Sequence, residues 1–110
     1  MLRQQPYAFS LSLTDAYCVI RAAGELDIAA APQMRSAVHA ARRRADHVVM
    51  DLRDVSFLDG FALRALTALQ GDRSDCPSFH VVPGEGIQRV LDLTGARVAL
   101  HWISPEQIER

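Results

Sequence analysis

Residues 48–69 read VVMDLRDVSFLDGFALRALTAL. The opening Val48-Val49-Met50-Asp51-Leu52 is a short, nearly continuous apolar run. Where strands and helices alternate, such a run reads as a central strand covered on both faces. Asp59-Gly60 then opens a helix from Phe61 to about residue 70, because an aspartate ahead of an apolar periodicity can accept from the free amides of the first turn. Ala62, Ala65, Leu66 and Leu69 recur at helical spacing and form its core stripe. A buried strand turning directly into a helix points to an α/β fold.

Upstream, Tyr7, Phe9, Leu11 and Leu13 alternate with Ala8, Ser10 and Ser12, which predicts a strand with one solvated side. Thr14-Asp15 supplies a turn into a second strand over 16–22, and the short connection makes the pair an antiparallel hairpin. Gly24-Glu25-Leu26-Asp27 breaks the strand pattern. Asp27 caps a helix beginning near Ile28, with Pro32 near its start, where a missing amide costs little. Ala30, Met34, Ala37, Val38 and Ala41 make an apolar stripe, while Gln33, Arg35, Ser36, His39 and the run Arg42-Arg43-Arg44 face away. Arginines at a helix end complement its dipole.

Downstream of the central stretch come a polar loop over 71–75 and a strand over 79–82, stopped by Pro83-Gly84. A short third helix is marked by Ile87, Val90 and Leu91 and ended by Gly95. A last strand follows over 98–103, then a short helix with Ser104 as cap and Pro105 at its first position. The expected architecture is a mostly parallel sheet of about five strands, with an N-terminal antiparallel hairpin and about four helices. One stand-alone domain over 1–110 is expected from the length.

Composition narrows the function. The formal net charge is −1, so no electrostatic footprint for nucleic acid is expected. No apolar run approaches the ~20 residues of a membrane span, and the start of the chain has no apolar signal region, so the expectation is a cytoplasmic protein without membrane insertion. Cys18 and Cys76 fall in different elements and read as reduced thiols, Cys76 as an inert one ahead of a strand. His39, His47, His80 and His101 have no second ligand at helical spacing, so no metal is expected. No Ser or Cys nucleophile can be grouped with a His and an acid, and no catalytic residue is assigned. Pro83-Gly84-Glu85-Gly86 follows a strand and opens a helix as a phosphate cradle does. It lacks both the full glycine fingerprint and a P-loop lysine, and a plain turn explains it equally well. No cofactor is expected, and the chain does not read as an enzyme.

Three stretches resemble the STAS family, found in anti-sigma factor antagonists and in the cytoplasmic tails of sulfate transporters. Gly24-Glu25-Leu26-Asp27 followed by Ala31-Pro32 resembles the family's entry into its first helix. VVMDLRDVSFLDGFALRAL resembles its central signature, and GIQRVLDLTGARVALHWISPEQ its closing helix–strand–helix. The resemblance spans nearly the whole length and implies a STAS-like fold. In antagonists the signature runs Asp, Ser, Ser or Thr, Gly, Leu, and the second hydroxyl is phosphorylated by the anti-sigma factor. Here Asp59 and Leu63 match, whereas Gly60, Phe61 and Ala62 replace the first Ser, the phosphoacceptor and the Gly. The resemblance therefore implies a partner surface at Asp59, Gly60, Phe61, Ala62 and Arg64 with Asp27, without phosphorylation at the usual place. It implies an anti-sigma or kinase-like protein partner. The alternative is a STAS subunit of a signalling or lipid-transport assembly, or a small-ligand binder. Phe61 itself has two readings: projecting from the helix start, or folded back into the core.

Overall fold

The computed structural model describes residues 7–14, 16–71, 78–94 and 102–107. The elements are β1 (Tyr7–Leu13), β2 (Tyr17–Leu26), α1 (Ala31–Arg42), β3 (His47–Leu58), α2 (Gly60–Gly71), β4 (Ser78–Val82) and α3 (Gln88–Thr94). Single 3-10 turns lie at Ile28–Ala30, Glu85–Ile87 and Pro105–Gln107. The sheet order is β1-β2-β3-β4, antiparallel between β1 and β2 and parallel elsewhere. The α/β class, the hairpin and the parallel remainder agree with the expectation, with four strands and three α-helices among the described residues.

β3 departs most from the sequence reading, running to Leu58 rather than ending at Leu52. Val48, Met50 and Leu52 reach the core at spacing two, but the next core residues are Val55 and Leu58, each three further on. The pairing with β2 explains this. Between Arg21↔Asp51 and Ala23↔Asp54, and again between Gly24↔Val55 and Glu25↔Phe57, β3 carries one residue more than its partner. Each such bulge shifts the alternation by one residue, so a strand with two of them no longer shows period two. β2 is likewise longer than expected, ending at Leu26. It passes through Gly24 at φ 92°, a left-handed conformation that glycine adopts without a Cβ clash.

Three helices cover one face of the sheet. Cys18, Ile20 and Ala22 of β2 and Phe79 and Val81 of β4 join the β3 residues against Met34, Val38 and Ala41 of α1, Leu63, Leu66 and Leu69 of α2, and Leu91 of α3. The expected stripe of α1 is buried as read, and in α2 Leu63 is buried besides Ala62, Leu66 and Leu69. Arg42 corrects the reading of the arginine run as solvent-facing. It is half-buried, donates to the Leu69 carbonyl at 2.9 Å and lies 5.9 Å from the Phe79 ring centroid, tying the end of α1 to the end of α2.

The opposite face has a smaller apolar group, Val19, Val49, Val82 and Ile103. β3 thus buries side chains on both sides of the sheet, Val48 and Met50 among the helices and Val49 on the opposite face. Of the expected strand over 98–103, only Trp102 and Ile103 are described. Trp102 bridges Val81 in parallel sense, and the Ile103 N–H donates to the Val81 carbonyl at 2.9 Å. The described part of the expected final helix is the 3-10 turn at Pro105–Gln107. Asp15, Cys76, Gly95 and His101 lie outside the described residues.

Candidate functional site

The C-terminal ends of β2 and β3 bring Asp27 and Asp59 side by side. The Asp59 N–H donates to the Leu26 carbonyl at 3.0 Å, so the two strand ends are fastened where both helical segments begin. Asp59 Oδ1 accepts from the Ala62 N–H at 2.8 Å, and the Asp59 carbonyl accepts from the Leu63 N–H at 3.0 Å. This is an N-cap, which satisfies an amide that the helix itself leaves without a partner. Asp27 Oδ1 accepts from the Ala29 N–H at 2.9 Å and caps the 3-10 turn that leads into α1.

At the start of α2 the remaining residues divide. Nothing lies within 4 Å of where a Cβ on Gly60 would stand, so packing does not demand glycine there. Phe61 is 56% exposed, which settles its two readings in favour of projection from the helix start. The Arg64 guanidinium carbon lies 5.9 Å from its ring centroid, in range of a cation–π contact. Ala62 sits in the core, and what it offers to the site is the amide held by Asp59. Around these residues the structure adds two that the sequence reading missed, Ile28 at 60% and Phe57 at 48% exposure. Phe57 was hidden by the bulge before it. Without that bulge the apolar spacing from Val55 would have put it in the core.

The hydroxyls nearest to Phe61 in sequence are both engaged. Ser56, on β3, donates to the Gly24 carbonyl at 3.4 Å, and Thr67 donates to the Arg64 carbonyl at 2.9 Å within α2.

A second polar group lies on the face away from the helices. Asp51, only 1% exposed, receives Arg53 Nε at 3.0 Å and Nη2 at 2.8 Å as well as the Arg53 amide at 3.0 Å, while Arg21 Nε lies 3.8 Å away. Burial alone would push this carboxyl up. The Arg53 hydrogen bonds and the charges of Arg53 and Arg21 outweigh it and hold the pKa below the usual carboxylate value. Tyr17, His47 and His80 cluster on the same face, with the imidazole centroids 5.7 Å apart. The fold has paired two histidines that are remote in sequence. Among the described residues, no group of three or more His, Cys, Asp or Glu is placed to hold a metal. Cys18 is fully buried, and burial raises its thiol pKa against a smaller opposing effect of Arg44.

The segment Pro83-Gly84-Glu85-Gly86 has a packing explanation. A Cβ on Gly84 would come within 2.4 Å of the Leu52 carbonyl oxygen, and one on Gly86 within 2.7 Å of the Val55 carbonyl oxygen. Both glycines let this loop lie directly on the β3 backbone. Among the described residues, no helix is long and apolar enough to cross a membrane.

Residues 9–96 match the protein-family model described as Mlab, STAS domain. No curated protein matches the chain. Among solved structures, an anti-sigma factor antagonist from Mycobacterium paratuberculosis is 27% identical, with 90% of this chain and 86% of that one covered and a TM-score of 0.76. The anti-sigma factor antagonist SpoIIAA in its unphosphorylated form is 22% identical, with 91% of each chain covered and a TM-score of 0.66. The phosphorylated form of the Bacillus cell fate determinant SpoIIAA is 23% identical, with 91% of this chain and 95% of that one covered and a TM-score of 0.54. At these identities the two SpoIIAA structures are likenesses of fold.

Proposed function

This chain belongs to the STAS domain family, and from that premise we propose that it is a non-enzymatic protein-binding module acting as an anti-sigma factor antagonist. Its partner is an anti-sigma or kinase-like protein in the cytoplasm, docking where β2 and β3 end. Asp59, Gly60, Phe61 and Arg64 form the contact, with Asp27 beside them and Ala62 supporting it from below. The chain acts as one domain, without nucleic acid or a cofactor.

The observation that carries this reading is the exposed Phe61 at the capped start of α2. A large ring held outside the core and flanked by an arginine is the kind of side chain that anchors protein interfaces. The same residue removes the usual switch. A phosphoryl group needs a nucleophilic heteroatom to accept it, and the Phe61 side chain has none. A module of this kind binds without being turned off at that position.

Two variants test it. Phe61→Ala should weaken partner binding by upward of ~2 kcal/mol, as loss of an aromatic anchor does. Phe61→Glu, which puts a negative charge where phosphorylated relatives carry one, should weaken it further while the protein stays folded. Incubation of the wild type with ATP and the partner kinase, read by intact mass and peptide mapping, should show no phosphate on residues 56–67. Unchanged binding by a folded Phe61→Glu protein, or efficient transfer to Ser56, would falsify the reading.

The matching family model is described as Mlab, STAS domain and does not name an anti-sigma factor antagonist, and the second reading is a STAS subunit of a signalling or lipid-transport assembly. Native-host purification separates the two, because an anti-sigma kinase co-purifies under the first reading and transporter subunits under the second.

A further inference from the structure

β1 is the outer strand of the sheet, and among the described residues nothing pairs with its free side. Exposed edges are normally guarded by charge, proline or a bulge against pairing with another chain. Tyr7–Leu13, YAFSLSL, has no charged residue and no proline, and it pairs with β2 without interruption from Tyr7↔Gly24 to Leu13↔Cys18.

The bond that closes the hairpin fixes which backbone groups are free. The Thr14 N–H donates to the Tyr17 carbonyl at 2.9 Å, so Thr14 aims its amide at β2. Alternation along an antiparallel ladder turns the backbone groups of Ser12, Ser10 and Ala8 the same way, and those of Leu13, Leu11, Phe9 and Tyr7 outward. The side chains of the outward set lie on the helix-covered side, where Leu11 and Leu13 are 36% and 58% exposed while Tyr7 and Phe9 pack partly against the core.

We propose that this edge pairs antiparallel with β1 of a second copy of the chain, across a two-fold axis at Ser10. In that register Leu11 stands opposite Phe9 of the second copy, and Leu13 opposite its Tyr7. Every such pair joins two residues whose N–H and C=O groups point outward, so the hydrogen bonds close without a slip. Each exposed leucine is covered by an aromatic ring. On the other face Ser10 meets Ser10 and Ser12 meets Ala8, with no like charges opposed. Arg21, next to Ser10 on β2, is engaged by Asp51 and Asp54, each at 3.8 Å. An unrelated strand could use the backbone groups, but a copy of the same alternating segment supplies the leucine–aromatic match in both halves. β2 separates this edge from Asp59 and Phe61; the Tyr7 end of the edge reaches the turn capped by Asp27, where the Tyr7 hydroxyl donates to the Ala29 carbonyl at 3.3 Å, and Leu13 lies at the other end of the strand.

The test uses the full chain. Sedimentation of the reduced wild type should show a monomer–dimer equilibrium. Leu13→Lys, which removes two interface leucines per dimer, should raise the dissociation constant about tenfold or more with the circular dichroism unchanged. Ser10→Cys places two thiols on the axis in a pair with Cα atoms about 4.5 Å apart, within disulfide reach, and should cross-link under oxidation beyond the wild-type background. Ser12→Cys places them roughly 14 Å apart along the strands and should not. A wild type that is monomeric at every concentration overturns the proposal. So does a dimer that Leu13→Lys leaves intact, or equal cross-linking of the two cysteine variants.

Discussion

The two faces of the sheet are built on different physics. The helix-covered face is filled by apolar volume from β2, β3, β4 and three helices. The other has a small apolar group at one side and, in the middle of β3, the buried carboxylate of Asp51 held by Arg53 and Arg21. The first face is stabilised by area removed from water, which is non-directional and insensitive to acid. The second depends on hydrogen bonds and charges whose geometry and protonation both matter. The candidate site belongs to neither face. It lies at the strand ends, where the covering helices begin and rings are left outside the packing.

The largest test of this contrast is Leu66→Ala, deep under α2. It should cost about 2–5 kcal/mol by urea unfolding, with the loss constant across pH. A cost below that of any Asp51 variant would break the comparison. Asp51→Asn should cost about 1.5–3 kcal/mol at neutral pH, the range for hydrogen bonds to a charged group. Its effect should also depend on pH. The folded-state pKa lies below the unfolded one, so the stabilisation is present above the ordinary carboxylate value near 3.9 and is lost as pH falls through the depressed value. Acid titration of stability should therefore show wild type and Asp51→Asn converging, while wild type and Leu66→Ala stay parallel.

Smaller effects sharpen the position of the edge. Asp59→Ala removes one cap hydrogen bond and should lower stability by about 1 kcal/mol, seen as a modest drop in melting temperature. Phe61→Ala should stay within about 0.5 kcal/mol of wild type, as substitutions outside the core do. A loss of about 3 kcal/mol or more, typical of a core phenylalanine, would return Phe61 to the packing of α2 and take the anchor away from the partner site.

Much of this was legible before the structure. The Tyr7–Leu13 alternation, the α1 stripe and the aspartate caps follow from periods and residue chemistry, which local physics sets. The lengths of β2 and β3 were not legible. A bulge changes the period inside a strand, and in a single sequence a spacing of three between Val55 and Leu58 reads as no strand at all. That cost the reading Phe57 as a surface residue. Asp51 reads as part of an apolar run because hydropathy carries no sign of its two partners: Arg53 folds back on it from two residues along the same strand, and Arg21 becomes its neighbour only once β2 and β3 are paired. The histidine cluster was invisible for the same reason: His47 and His80 are neighbours only through the parallel register of β3 and β4. At the candidate site, Asp27 and Asp59 were each readable as caps, but the bond between Asp59 and Leu26 that fastens them is tertiary.

The bridge between Trp102 and Val81 has a consequence for spectroscopy. The chain contains one tryptophan, and it stands where the closing segment joins β4, half-buried against the core. Its fluorescence therefore has a single origin and reports on one event, the docking of residues 102–107 onto the outer parallel strand. An emission shift that precedes the loss of far-ultraviolet ellipticity during denaturation would mark release of this segment as a step separate from melting of the sheet. Coincident transitions would show that the segment and the sheet unfold together.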